Sequence, residues 1–237
     1  MTGAETVLPP IGGAAFKLII ERSAPAAFKW VRAVAKGKTI VIVGPGRTGK
    51  TTFLNYIHHG VFQHNQATNR TLVPEESKRF DLEVGPSKNL KLHVSSAIDT
   101  PGQYPDISKF VHSKRPHALI IVLDLSSNLK DPDPAKSSAA WLDEFLTRLD
   151  QRWIASRASR NRLRSVIVVL NKADLVSEST YAKHETRYRK IMKDSFRVAK
   201  GSMQQDVLYK KCIMVENPYG TKFVDAVIFD LAKSLVS

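Results

Sequence analysis

The 237-residue sequence predicts an α/β protein with a mostly parallel central sheet covered by helices on both faces. Three observations carry that prediction. The runs TIVIV (39–43), ALIIV (118–122) and VIVVL (166–170) are nearly continuous apolar stretches, the pattern of parallel strands buried on both sides. Each is followed by a segment with the apolar spacing of a helix. Apolar β-rich runs and helix-period segments then keep alternating towards the C-terminus, as in a doubly wound sheet.

Residues 1–12 read as an irregular start, with Pro9, Pro10, Gly12 and Gly13 as breakers. In AAFKLIIERSAPAAFKWVRAVAKGK (14–38), Phe16, Ile19 and Ile20 share one helical face, as do Ala27, Val31 and Val34. Pro25 divides the stretch into two helices. Lys17, Arg22, Lys29, Arg32, Lys36 and Lys38 face a single acidic residue, Glu21. The chain therefore divides into an N-terminal extension, 1–37, with basic amphipathic helices, and an α/β domain, 38–237. Within the domain the strand TIVIVG leads into a helix at about 50–59. FDLEV (80–84) and LKLHVSSAID (90–99), joined by GPSKN, alternate apolar and polar residues and predict an antiparallel edge hairpin. A short helix follows near 105–113, then the strand ALIIVLDL and a polar, Pro-broken loop over 126–138. A strong helix at 139–154, the strand VIVVLN, a helix at about 179–200, the strand KCIMV (211–215) and a last helix from about 221 complete the order.

Composition narrows the function classes. With 43% hydrophobic residues the chain has enough apolar material for a packed core, which excludes wholesale disorder. The one cysteine, Cys212, makes no internal disulfide and no four-thiolate metal site; it reads as a buried thiol in a reducing compartment. No segment reaches roughly 18 uncharged apolar residues, and the N-terminus lacks the basic start and apolar core of a secretory signal. Thr2 stands where myristoylation needs glycine, and the C-terminal AKSLVS has no prenylation cysteine. These features predict a cytoplasmic protein, free or peripheral at a membrane.

Gly44-Pro45-Gly46-Arg47-Thr48-Gly49-Lys50-Thr51, followed by Thr52, has the form GxxxxGK[ST] between an apolar strand and a helix. Glycines let backbone wrap closely around phosphates, and loop amides with a helix N-terminus offer donors to anionic oxygens. Lys50 is placed to reach the β- and γ-phosphates of a nucleotide and Thr51 to ligate Mg²⁺. Asp99-Thr100-Pro101-Gly102-Gln103 follows another strand. Asp99 at a strand end suits Mg²⁺ held through water, the Gly102 amide suits a γ-phosphate, and Gln103 suits orientation of an attacking water. Asn171-Lys172-Ala173-Asp174 follows VIVVL directly. A carboxylate there accepts from two guanine donors that adenine does not present together, so Asp174 selects GTP and GDP over ATP. Asn171 helps fix the loop and the base, and the Lys172 stem lies along the ring.

On this alternating frame and in this order, GPGRTGKT, DTPGQ and NKAD resemble the motifs of Ras-like small GTPases over about residues 38–237. IVIVGPGRTGKTTFLNYIHHG and TNRTL (68–72) look most like the bacterial Mgl-type gliding-motility and polarity GTPases; the Arf, signal-receptor-β and Rag groups are more distant. The resemblance implies a three-layer P-loop GTPase domain that binds GTP and GDP with Mg²⁺ and works as a switch with regulatory and effector proteins. It implies that Thr71 rather than Thr68 is the first-switch ligand of Mg²⁺. It implies too that Arg70 is an internally supplied arginine finger, the alternative being a solvated loop cation. Two departures stand out. Asp99 is present where Mgl-type proteins often lack the acid. The last guanine loop, usually Ser-Ala-x, is matched by Glu216-Asn217-Pro218-Tyr219-Gly220, where the Asn217 backbone remains a base contact.

The net charge of +14 lies mostly outside these motifs. It gathers on the N-terminal extension, on Arg152, Arg157, Arg160, Arg162 and Arg164, and on Lys183, Arg187, Arg189, Lys190, Lys193, Arg197 and Lys200. In the last group Tyr181, His184, Tyr188 and Ile191 share one helical face and the cations lie away from it. The charge reads either as solvated faces or as a docking surface for RNA, lipid headgroups or an acidic protein. The N-terminal helices read either as packing on the domain or as lying in a membrane interface. The function expected is GTP hydrolysis by a slow molecular switch, with a hydrolysis-poor nucleotide-binding scaffold and a ribosome-, RNA- or membrane-associated GTPase as alternatives.

Overall fold

A computed structural model of the chain describes residues 38–59, 62, 74–77, 80–84, 90–100, 106–126, 137–155, 162–197, 207–215 and 218–236. The N-terminal helices expected within 1–37, most of the 126–138 loop, and Arg157, Arg160 and Lys200 lie outside the described residues. In chain order the elements are β1 (Lys38–Val43), α1 (Lys50–His59), β2 (Glu75–Glu76), β3 (Phe80–Val84), β4 (Leu90–Asp99) and α2 (Ile107–Lys114). They continue with β5 (Ala118–Asp124), α3 (Ser138–Ala155), β6 (Ser165–Asn171), α4 (Glu178–Ser195), β7 (Leu208–Lys211) and α5 (Pro218–Val236).

The strands form one sheet in the order β2-β4-β1-β5-β6-β7, with β3 also on β4. β4, β1, β5, β6 and β7 run parallel. The expected antiparallel hairpin is present, with β3 paired to β4 from Phe80 opposite Val94 to Val84 opposite Leu90. The short β2, which no sequence signal marked, pairs antiparallel with the far end of β4.

Continuous apolar runs become strands here because each is covered twice. Side chains alternate between the faces of a strand. Ile40, Ile42, Ile120, Val122, Ile167 and Val169 pack in one cluster with Phe53 and Ile57 of α1 and Val224, Val227 and Leu231 of α5. Val41, Val43, Leu119, Ile121, Leu123, Val168 and Leu170 pack in the other with Val111 of α2, Leu142, Leu146 and Trp153 of α3, and Tyr188 and Met192 of α4. Three layers result, helices–sheet–helices.

Local chemistry sets several helix ends. The Asp106 carboxylate accepts from the Lys109 amide at 2.9 Å and starts α2, and Arg115 closes it in the left-handed conformation. Ser177 starts α4 by accepting from the Thr180 amide. The helix expected over about 179–200 is interrupted after Ser195; Arg197 is again helical, and 198–200 lie outside the described residues. Phe196 turns out of helical geometry (φ −124°, ψ 55°) and is fully buried, its ring 5.7 Å from that of Trp153. Burial of the ring overrides helix propensity.

The last strand also differs from expectation. It is LYKK (208–211) rather than KCIMV. Cys212 still bonds the β6 backbone, its amide to Leu170 O at 2.9 Å. Beyond it the chain leaves the ladder, because the Met214 amide donates to the Asn171 side chain instead. Cys212 is the buried thiol expected, placed just past the strand, and burial pushes its pKa up to about 12. Among the described residues no helix is long and apolar enough to cross a membrane.

The double cover makes a measurable claim about β5. Ile120 is fully buried at the centre of the sheet. Ile120→Ala should cost about 2–5 kcal/mol in urea unfolding and Ile120→Val about 0.5–1.5 kcal/mol. A cost below about 1 kcal/mol for the alanine variant would contradict burial on both faces.

Candidate functional site

Parallel strands place all their C-terminal ends on one rim, and three strands end there on a polar residue: Asp99 on β4, Asp124 on β5, Asn171 on β6. The loop 44–49 joins β1 to α1 at the same rim. Gly44 passes so close to β5 that an added Cβ would sit 2.1 Å from the Val122 carbonyl oxygen. Gly49 has φ +98°, and a Cβ there would lie 2.6 Å from Asn171 Nδ2 and 2.9 Å from Met214 Sδ. Only glycine fits either position. The Thr48 hydroxyl and the Lys50 Nζ both donate to the Pro45 carbonyl, at 3.1 and 2.7 Å.

Lys50 opens α1, whose first turn carries no acidic side chain, so the positive end of the helix dipole faces the loop. The side chain is buried, and burial lowers its pKa to about 8 although Asp99 acts in the opposite sense. A buried ammonium beside a loop of amides is a place where an anion relieves an electrostatic cost.

Thr51, one residue further, donates from Oγ1 to Asp99 Oδ2 at 2.5 Å. Asp99 is fully buried at the end of β4, and the next residue, Thr100, donates to Ile42 O at 3.0 Å, tying that end to β1. A hydroxyl and a carboxylate side by side beside a phosphate-type loop are the hard oxygen donors that Mg²⁺ prefers, so this pair fits that ion.

The third group comes from β6. Asn171 is buried, with Nδ2 donating to Thr48 O at 2.8 Å and Oδ1 accepting from the Met214 amide at 3.1 Å. Lys172 adopts a left-handed conformation, φ 58°. Its Nζ lies 2.5 Å from Asp124 Oδ2, while Asp124 Oδ1 accepts from the amide and hydroxyl of Ser126. Asp174 sits in a single 3-10 turn, 173–175, and is exposed. The structure thus brings the segment 44–52, Asp99, Asn171, Lys172 and Asp174 to one rim. Arg70, Thr71, Gly102, Gln103 and Asn217 lie outside the described residues.

Sequence reasoning missed Asp124, Ser126 and Met214. A signal existed for Asp124, a polar residue closing an apolar run just as Asn171 does. None existed for Met214, which sits inside what reads as a strand. Among the described residues there is no cluster of three or more His, Cys, Asp or Glu able to hold a metal.

No protein-family model and no curated protein matches the chain. Solved structures do match, 1007 chains in all, so the fold is widely shared and does not itself single out a biological role. One is the bacterial selenocysteine-specific elongation factor EF-Sec, with a TM-score of 0.53 and 17% identity. The alignment covers 84% of this chain and 29% of EF-Sec, so the likeness concerns less than a third of that protein. With the sheet order and the loop described above, the fold is the three-layer α/β arrangement that the resemblance to P-loop GTPase domains implies.

The lowered Lys50 pKa has a signed consequence. Burial penalises charged Lys50 in the folded state, fully below about pH 8, and the penalty fades as pH rises towards the ordinary 10.5. The unfolding free energy of the wild type, measured against Lys50→Met, should therefore rise between those pH values. Adding a nucleoside triphosphate should flatten the difference by stabilising the ammonium. A pH-independent difference without nucleotide would refute the burial effect.

Proposed function

We propose that the chain is a guanine-nucleotide-dependent switch that binds GTP and GDP with Mg²⁺ and hydrolyses GTP to GDP and phosphate. The observation that carries this reading is the pair of hydrogen bonds made by the Asn171 side chain, one to the phosphate-type loop at Thr48 O and one from the Met214 amide after β7, which bring NKAD and that loop into one site. In this reading Lys50 and the loop amides hold the β- and γ-phosphates. Thr51 and Asp99, with Thr71 from the first switch, hold Mg²⁺, which when bound neutralises charge on the phosphate oxygens. Asp174 accepts from the guanine edge, and the ion pair with Asp124 orients Lys172 beside it. The Gly102 amide faces the γ-phosphate and Gln103 orients the attacking water. The likeness of TNRTL to Mgl-type GTPases supports Arg70 as the residue that offsets charge at the β–γ bridge. Nucleotide state then sets which regulatory and effector proteins bind.

A second reading, nucleotide binding with little hydrolysis, draws on the segment after β7. It carries Glu216-Asn217-Pro218-Tyr219-Gly220 in place of the usual Ser-Ala-x. Phosphate release under single turnover decides between the two readings.

Two measurements test the proposal. Competition against a fluorescent GDP analogue should rank GTP at least about a hundredfold above ATP, and Asp174→Ala should lose about a hundredfold or more in GTP affinity. Equal affinity for ATP would remove the assignment of Asp174. In single-turnover hydrolysis, Arg70→Ala should lower the rate towards the roughly 10³–10⁵-fold loss expected of an arginine finger, with GTP affinity unchanged. Gln103→Leu should also slow hydrolysis. An unchanged rate in Arg70→Ala would leave that arginine a solvated cation.

A further inference from the structure

The opposite rim, where the parallel strands begin, has its own chemistry. Lys38 opens β1, His117 immediately precedes β5, and Arg162 and Arg164 precede β6. The backbone fixes their adjacency: the His117 amide donates to Thr39 O at 2.9 Å, and the Arg164 amide to His117 O at 2.8 Å. Neighbouring strands lie about 4.8 Å apart, so the row of three strand starts spans about 10 Å. With β5 seven residues long, this rim stands about 20 Å from the phosphate-type loop.

Inside the row two donors face each other. His117 Nδ1 accepts from the Thr39 amide at 3.0 Å, so the neutral ring carries its proton on Nε2. Burial and the charges of Arg162, Lys38 and Arg164 push its pKa down to about 4, which keeps it neutral near pH 7. Its Nε2 lies 3.2 Å from Arg162 Nη2, also a donor. An oxyanion between them would accept from both. The charges acting on Lys38 are cationic as well, Arg164 and Arg162. Helix dipoles explain basic residues in a last helical turn, such as Lys114 on α2, but Lys38, His117 and Arg164 stand at strand starts.

We propose that this rim binds the phosphodiester backbone of a single-stranded nucleic acid, with Lys38, Arg162, Arg164 and the His117 Nε2–H as donors. A row of discrete cations matches a chain of repeated phosphates. Leu163, the apolar residue between the two arginines, is fully buried, so the row offers charge and donors without an apolar anchor for a bilayer. The inference is independent of the nucleotide reading.

The test uses the full chain and a fluorescein-labelled, mixed-sequence RNA of roughly 20 nucleotides, followed by anisotropy between about 50 and 200 mM KCl. The wild type should bind with a steep salt dependence. Arg162→Ala/Arg164→Ala should lose at least about tenfold in affinity and lower the slope of log K against log salt by about 1.4, two single-strand contacts. Lys38→Gln should lower the slope by about 0.7. Lys183→Ala/Arg187→Ala, exposed on the first half of α4, should stay within about twofold. Relieving like-charge crowding, the Arg162/Arg164 variant should melt no lower than the wild type. Equal affinity and slope in wild type and rim variants would overturn the proposal. So would an absence of RNA and DNA binding alongside binding to phosphatidylserine vesicles.

Discussion

A single buried amide, that of Asn171, holds together loops that come from distant parts of the chain. Its Nδ2 grips the loop after β1 through Thr48 O, its Oδ1 grips the loop after β7 through the Met214 amide, and its backbone carbonyl accepts from the Leu125 amide beyond β5. Removing the side chain would leave a carbonyl and an amide without those partners in a largely buried place, at about 1–3 kcal/mol each. Gly49 belongs to the same constraint. A Cβ there would collide with Asn171 Nδ2 and Met214 Sδ, so the Asn171 brace as well as the positive φ holds this position to glycine.

That cross-brace works because the sheet delivers its parts to one place. β1, β5 and β6 are buried on both faces, which fixes their register and leaves their ends as the first points where the chain meets water. The polar residues at the ends of β4, β5 and β6 are nonetheless buried. Asp99, Asp124 and Asn171 each answer this with close partners: the Thr51 hydroxyl, the Lys172 ammonium with Ser126, and the two loops. These partners tie the rim to the core strands, so the site takes its geometry from the core.

The parts legible in the sequence are those where local pattern and tertiary demand agree. TIVIV, ALIIV and VIVVL read as strands because burial on both faces demands continuous apolar residues, and GPGRTGKT reads as a phosphate loop because its glycines sit where backbone approaches backbone. Where they disagree, the sequence misleads. LYKK hides a strand because its cations find partners across space: Lys210 with Asp230, Lys211 with Glu178 and over the Tyr181 ring. KCIMV imitates a strand because Cys212 is buried and Met214 reaches Gly49 from a loop. The NKAD pattern announces a base site but not that its asparagine reaches a carbonyl 123 residues away, nor that its lysine pairs with Asp124. Those contacts depend on β5 lying between β1 and β6, which no local spacing encodes.

The two ends of the sheet use positive charge differently, and the difference follows from distance. At the phosphate-type loop, among the described residues, the charge acting on Lys50 is the carboxylate of Asp99. At the opposite rim, burial and then the charges of Arg164 and Arg162 lower the pKa of Lys38, and burial with Arg162, Lys38 and Arg164 lowers that of His117. The ends are about 20 Å apart, well beyond the screening length of about 8 Å at physiological salt. A crowd of cations can therefore be kept on the same sheet without altering the tuned ammonium of Lys50. Placed beside the loop, the same arginines would lower the Lys50 pKa further and weaken the charge that a phosphate needs. The strand length thus separates the buried ammonium of Lys50 from the basic rim.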